Sequence, residues 1–227
     1  MKSPLSLAPF VSARLRARGF TLIELLVVIG IIALLAAAIG VGLRGGDQTI
    51  ALQAGQSTVA SLISATRGRA ALANQNAALM VNANASSPDR YLRLLAVGVD
   101  NGSGTFVPTG DGVLLPAGIY VVPPGGPSAA QREPGSNWTT LDSSALTGPV
   151  PFALDGVSSE QWYILGLTPF GTRSEVGTPG LGPRLVLSGA QRTEDGIVFN
   201  NEENVRGLEV SQYGAITLID NSDAFRN

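Results

Sequence analysis

Few side chains in this sequence are suited to acid–base or nucleophilic catalysis. The chain has 227 residues and contains neither cysteine nor histidine, which excludes thiol nucleophiles, disulfide bonds, histidine bases and the usual zinc ligand sets. The acidic pairs that remain are Glu194-Asp195, Glu202-Glu203 and Asp220 with Asp223. Because each pair lies among Gly, Asn or Ser residues, a solvated loop is the simpler interpretation, and we expect neither an enzyme nor a cofactor.

One short segment has the oxygen-rich composition of a cation site. Residues 100–104 read Asp-Asn-Gly-Ser-Gly, so side-chain oxygens alternate with glycines that allow a tight loop. The segment lacks the closing Glu of an EF-hand loop. A hairpin turn is the interpretation that we favour, and calcium binding stays open as the alternative.

Four aromatic residues offer either a recognition surface or part of a core. They are Trp138, Trp162, Tyr163 and Phe170. Aromatic residues in strand-like segments are usually buried, so we expect core positions and keep recognition as the alternative.

A long apolar run near the N-terminus contains one acidic residue, whose position among apolar neighbours needs an explanation. Residues 20–43 form a run of 24 residues in which Glu24 is the single charge. As a helix the run is roughly 36 Å long, enough to cross a hydrocarbon core of about 30 Å. A carboxylate in hydrocarbon costs on the order of 2.5 to 3.5 kcal/mol, so it is normally paired and functional.

Basic residues flank this run unevenly. Those that precede it are Lys2, Arg14, Arg16 and Arg18. No acid lies among them, and Arg44 is the one basic residue at the far end, so the positive-inside rule predicts a cytoplasmic N-terminus. A secretory signal peptide would have a shorter apolar region that ends at a small-residue cleavage site, and an ordinary signal anchor gives no reason for Glu24.

The residues around Glu24 form a distinctive short motif, Arg18-Gly19-Phe20-Thr21-Leu22-Ile23-Glu24-Leu25-Leu26. This motif resembles the processing motif of type IV prepilins and type II secretion pseudopilins. In that family a peptidase cuts after the glycine and methylates the new N-terminal residue. The resemblance therefore implies cleavage between Gly19 and Phe20, N-methylation of Phe20 and an assembly role for Glu24. Many major pilins have a proline where this chain reads Ile39-Gly40-Val41-Gly42, so the resemblance is not to a standard major pilin.

The motif residues also have local interpretations. Thr21 and Glu24 fit a capping box, and the helix dipole favours a carboxylate in the first turn. Gly19 could be a loop residue before a membrane anchor, and Phe20 an interfacial aromatic. These alternatives stay open at the level of the sequence.

Beyond the apolar run the sequence predicts one amphipathic helix followed by short strands. Its apolar positions recur at spacings of three, four and seven residues: Leu52, Val59, Leu62, Ile63, Thr66, Ala70 and Ala73. The helix is expected to continue the apolar one, to break at Gly45-Gly46 and to end near residues 74–76. The predicted strands are 78–82, 91–99, 113–122, 161–167, 184–187, 196–199 and 208–219, the last with a turn at Tyr213-Gly214.

This order of elements predicts an α+β fold in which the outer half of a long helix packs on an antiparallel sheet. It is also the pilin fold, and the closing segment 208–219 resembles the H-type minor pseudopilins. The expected parts are a leader 1–19, a transmembrane and assembly helix 20–43 and an exported, periplasmic domain 44–227. Residues 44–227 hold 11 Arg and 16 acidic residues, a formal charge of −5, so nucleic-acid binding is not expected.

The expected function is that of a minor pseudopilin or minor pilin, a single-pass inner-membrane subunit of a type II secretion pseudopilus or a type IV pilus. Its implied partners are other pilin subunits, prepilin peptidase and an inner-membrane assembly platform. One alternative is a DNA-uptake or adhesion pilin with a binding function in its exported domain, and another is a membrane-anchored enzyme without a recognised motif. The sequence does not distinguish the secretion, pilus and competence systems.

Overall fold

The computed structural model describes residues 22–136, 138, 141–153, 159–174, 182–194, 196–200 and 202–225, without the side chains of residues 34–47 and 224. Gly19, Phe20 and Thr21 therefore lie outside the described residues. The chain divides into two compact units, Met1–Arg44 and Gly45–Asn227.

A single long helix, α1, spans Leu22–Ala73. In the second unit its buried positions include Leu52, Val59, Ile63 and Ala70, which form the apolar stripe that the sequence predicted. The helix ends where Asn74 takes a positive φ of 50° and the amide of Gln75 donates to the carbonyl of Ala70 at 3.2 Å. The predicted end near residues 74–76 is confirmed, whereas α1 includes Gly45 and Gly46 without the expected break.

Short strands follow α1 in the described part of the chain: β1 (Ala77–Asn82), β2 (Leu94–Asp100), β3 (Phe106–Pro108), β4 (Val113–Leu114), β5 (Ile119–Val121), β6 (Thr147–Phe152), β7 (Glu160–Leu167), β8 (Arg184–Thr193), β9 (Gly196–Phe199), β10 (Val205–Val210) and β11 (Ile216–Ile219). Two 3₁₀ turns cover Ala129–Gln131 and Asp223–Phe225. The strands form two antiparallel sheets. Sheet 1 has the order β3-β2-β1-β7-β6 with β4 also on β2, and sheet 2 has the order β11-β10-β8-β5 with β9 also on β8.

The main core contains residues of α1 together with residues of both sheets. Ile63 of α1, Leu79 of β1 and Leu187 of β8 belong to one cluster of fully buried side chains. Side chains of β1 alternate, so Met80 belongs instead to a second cluster that also contains Phe152 and Trp162. Sheet 1 is therefore apolar on both faces.

The α+β fold with a long N-terminal helix and antiparallel strands is confirmed. Several details differ from the prediction. β2 begins at Leu94 and not at residue 91, β8 continues to Thr193 beyond the expected residue 187, and β10 begins at Val205 before the expected residue 208. The expected strand 113–122 is two strands, β4 and β5, in different sheets. A turn separates them, because the carbonyl of Pro116 accepts a hydrogen bond from the amide of Ile119 at 3.1 Å and Gly118 takes a φ of +77°. The short strands β3 and β6 were not predicted.

Candidate functional site

The N-terminal part of α1 has large apolar side chains on every side, and all of them are exposed. They are Leu22, Ile23, Leu25, Leu26, Val27, Val28, Ile29, Ile31 and Ile32. Their exposed fractions run from 48% to 82%, whereas a surface helix of a globular protein normally has one apolar stripe and a polar opposite face. We call residues 22–32 the apolar segment. A surface of this kind is suited to packing in apolar surroundings and not to catalysis.

Glu24 is exposed and lies in the first turn of α1. The partial positive charge at a helix N-terminus favours a carboxylate there, so this position is compatible with the local interpretation as well as with an assembly contact. Glu24 is the only charged residue among residues 22–33. The described part of the chain contains no helix that is both long and apolar enough to cross a membrane.

The outer half of α1 is fixed to sheet 2 by a buried amide. Gln56 is 2% exposed, and its Nε2 donates to the carbonyl of Gly207 at 2.6 Å and to that of Ile219 at 2.9 Å. Gly55 allows a close approach, because a Cβ at this position would lie 3.2 Å from Cγ2 of Ile119. Sequence reasoning missed Gln56, although its position four residues after Leu52 places it on the buried stripe.

The segment that was considered for calcium is a hairpin turn between β2 and β3. The carboxylate of Asp100 accepts hydrogen bonds from the amides of Gly102 and Gly104, both at 2.9 Å. Asn101 Oδ1 accepts from the amide and the hydroxyl of Ser103. These oxygens hold the turn together, and the hairpin interpretation is confirmed. No cluster of three or more acidic side chains that could hold a metal occurs among the described residues.

The interpretation of the acidic pairs as solvated loops is wrong for Glu202. This residue is 2% exposed, and its Oε1 accepts a hydrogen bond from the amide of Leu141 at 2.9 Å. Asp220 is exposed and pairs with Arg206 at 3.1 Å, and Asp223 is exposed as well. Glu194 lines an open cleft of about 620 Å³ together with Arg192, and Asp195 lies outside the described residues.

Of the four candidate aromatics, two are core residues. Trp138 is 4% exposed and donates its Nε1 to the carbonyl of Asn200 at 2.6 Å, and Trp162 is fully buried at 5.7 Å from the ring of Phe152. Tyr163 is half-buried, and burial raises its pKa, with a smaller contribution from Tyr91. Phe170 is 88% exposed, which contradicts its expected place in the core.

The comparison with family models gives one finding. Residues 14–40 match the family described as the prokaryotic N-terminal methylation motif. No curated protein and no solved structure matches the chain.

The class that this motif defines is that of type IV pilin-like precursors, which are structural subunits. The N-terminal segment of the chain is therefore type IV pilin-like, and the match supports processing by a prepilin peptidase and assembly with other pilins. The matched residues include Gly19, Phe20 and Glu24, and they extend through the apolar segment.

Proposed function

We propose that this protein is a minor pseudopilin or minor pilin, a structural subunit of a type II secretion pseudopilus or a type IV pilus. The observation that carries the proposal is the apolar segment, whose exposed side chains lie within the motif of residues 14–40. An all-round apolar helix is stable in water only when other apolar groups cover it. Lipid before assembly and neighbouring subunits after assembly would both provide that cover.

Processing is proposed to take place between Gly19 and Phe20. Glycine has no side chain to obstruct the approach to the carbonyl of the bond that is cut. Cleavage removes the basic leader 1–19 and leaves the amine of Phe20 as the first group of the mature chain, where N-methylation follows. No catalytic residue is assigned to this chain, because a separate peptidase is proposed to perform both the cleavage and the methylation.

The mature chain is proposed to be anchored in the inner membrane by residues 20–43, with residues 44–227 in the periplasm. The basic residues before the run support this orientation. The partners are other pilin subunits and the inner-membrane platform that assembles them. Residues 44–227 carry a formal charge of −5, which does not favour a nucleic-acid partner.

Glu24 is proposed to neutralise the N-terminal amine of a neighbouring subunit. Both groups would enter apolar surroundings when helices leave the bilayer for a filament, and an isolated charge of either sign is costly there. Pairing them removes much of that cost and fixes the axial offset between two subunits. The same charge is not required for insertion or for cleavage.

Intact-mass analysis of protein extracted from membranes tests the processing. We expect a mature chain that begins at Phe20 and carries one methyl group on its amine. A chain that still begins at Met1, or one that is cut after the apolar run near Ala38, would contradict the pilin assignment.

A matched pair of variants tests the role of Glu24. Glu24→Gln keeps the shape and removes the charge, whereas Glu24→Asp keeps the charge. We expect both variants to be inserted and cleaved as wild type, and only Glu24→Gln to lose most of its crosslinking to partner pilins. Equal crosslinking of Glu24→Gln and wild type would reduce Glu24 to a local helix cap.

Adhesion is a second candidate that one observation favours. Phe170 and Tyr213 are 88% and 76% exposed, and their loops touch, because the amide of Arg173 donates to the carbonyl of Gln212 at 2.9 Å. Exposed aromatic residues are typical of binding surfaces. If Phe170→Ser with Tyr213→Ser abolishes attachment to a surface while secretion and assembly are unchanged, the adhesion function takes precedence.

A further inference from the structure

The turn between β2 and β3 contains the only Asn-Gly pair in the sequence, Asn101-Gly102. In such a pair the backbone nitrogen of the glycine can attack the side-chain amide carbon of the asparagine, because glycine has no Cβ to hinder the approach. The rate of this attack depends on the surroundings of the pair. Three features of this turn favour the attack.

The first feature is the environment of the attacked amide. Its oxygen, Asn101 Oδ1, accepts a hydrogen bond from the amide of Ser103 at 3.0 Å and a second from the Ser103 hydroxyl at 2.6 Å. Negative charge develops on this oxygen when a nucleophile adds to the carbon. Two donors fixed at hydrogen-bonding distance stabilise that charge, as in an oxyanion hole.

The second feature is the partner of the attacking nitrogen. The amide of Gly102 donates its hydrogen to Asp100 Oδ1 at 2.9 Å. A carboxylate in this position can take up the amide proton as the nitrogen attacks, which is the task of a general base. The same oxygen accepts from the amide of Gly104, so the carboxylate is held in place.

The third feature is access. Residues 101–105 are exposed, Gly102 has a φ of +87°, and a Cβ at Gly102 would have no neighbour within 4 Å. The leaving group can therefore diffuse away, and water can reach the product.

We propose that Asp100 and Ser103 make Asn101 a site of self-modification, at which the side-chain amide is lost through a cyclic imide. The nitrogen of Gly102 forms a bond to Cγ of Asn101, and the bond from Cγ to Nδ2 breaks. The proton of the Gly102 amide passes by way of Asp100 to the departing nitrogen, which leaves as ammonia. Water then opens the imide at either carbonyl and gives aspartate or isoaspartate at position 101, without an oxidant or a reductant.

The modification changes the turn in two ways. Either product adds one negative charge beside Asp100. Isoaspartate also adds a methylene group to the backbone next to the pairing of Asp100 with Phe106, the last pair between β2 and β3. The hairpin would therefore be expected to fray from this end.

The experiment follows residue 101 in the purified full-length chain during incubation at neutral to mildly alkaline pH. Peptide mass spectrometry measures aspartate, isoaspartate and imide at this position against time. The controls are a free peptide of residues 97–108, which has the sequence without the fold, and Asp111→Asn, which removes an exposed acid outside the turn.

We expect the folded chain to convert faster than the free peptide and Asp111→Asn to match wild type. Asp100→Asn should slow conversion roughly tenfold, less than the 10²–10⁴-fold of a positioned acid or base in an enzyme. Ser103→Ala, which keeps the backbone donor, should slow it to a smaller extent. The proposal is overturned if the peptide converts as fast as the folded chain, or if both variants match wild type while the Gly104 amide stays protected from hydrogen exchange.

Discussion

Two stretches of the same helix differ in what surrounds their apolar side chains. In the apolar segment, residues 22–32, every large side chain is exposed, whereas residues 52–70 bury one stripe in the core of the second unit. Helix propensity does not explain this difference in exposure, because both stretches are helical. The difference indicates that the described core accounts for only one of them, and that no described residue covers the large side chains of the apolar segment.

The sharpest way to break this comparison is to make the same substitution in both stretches. Ile63→Ala should lower the free energy of unfolding by about 2 to 5 kcal/mol, because Ile63 is 1% exposed and the deletion leaves a cavity. Ile29→Ala, at a residue that is 58% exposed, should change it by less than about 0.5 kcal/mol. Denaturant unfolding of the full-length chain in detergent, followed by the fluorescence of Trp138 and Trp162, measures both changes.

Under the proposed function, Ile29→Ala should weaken crosslinking to partner pilins, and Ile63→Ala should not do so while the chain is folded. If Ile29→Ala destabilised the chain as much as Ile63→Ala, the apolar segment would be part of the fold and the comparison would fail.

A second pair of variants examines the polar contact of the buried stretch. Gln56→Leu removes the donor to the carbonyls of Gly207 and Ile219, and we expect a loss of about 1 to 3 kcal/mol because these buried acceptors lose a partner. Gln53→Leu, one turn earlier and exposed, is the matched control and should be nearly neutral. The measurement is the same denaturant titration. A neutral Gln56→Leu would show that apolar packing alone fixes this part of α1.

The smallest expected effect is a change in the pH dependence of stability, and it concerns Tyr163 of β7. Burial raises the pKa of Tyr163 above its ordinary value of about 10, so the folded chain holds this proton more tightly than the unfolded chain. Its contribution to stability is fully present below about pH 10 and is lost as the pH rises through the raised pKa. Tyr163→Phe should therefore lose less stability than wild type as the pH rises above about 10, and denaturant unfolding at a series of pH values measures the difference.

Local patterns predicted those elements whose signals are contained in a few consecutive residues. The end of α1, strands β7 and β9, and the hairpin of β10 and β11 with its turn at Tyr213-Gly214 follow from periodicity and turn chemistry. The prediction of a single strand over residues 113–122 was wrong, because the sheet that each part joins depends on partners far away in the sequence. β4 pairs with β2, whereas β5 pairs with β8, and no local pattern contains that information.

The same limit applies to individual side chains. Glu202 lies in an acidic, asparagine-rich stretch that favours solvent, yet it is buried and accepts a hydrogen bond from the amide of Leu141, 61 residues away. Phe170 looks like a core residue from its neighbours, yet it lies on an exposed turn. The N-terminal methylation motif of residues 14–40 could be identified from sequence because it is a short linear pattern, which does not depend on tertiary contacts.

The double hydrogen bond of Gln56 has a consequence for how the chain selects its strand alignment. Gly207 and Ile219, the two acceptors, are direct partners in the pairing of β10 with β11. If the hairpin slipped by one residue, the two carbonyls would no longer lie opposite each other, and one amide on α1 could not reach both. A slipped hairpin would also turn its apolar side chains to the wrong face of the sheet. Gln56 therefore discriminates between alignments of two strands whose acceptor residues lie 151 and 163 positions further along the chain.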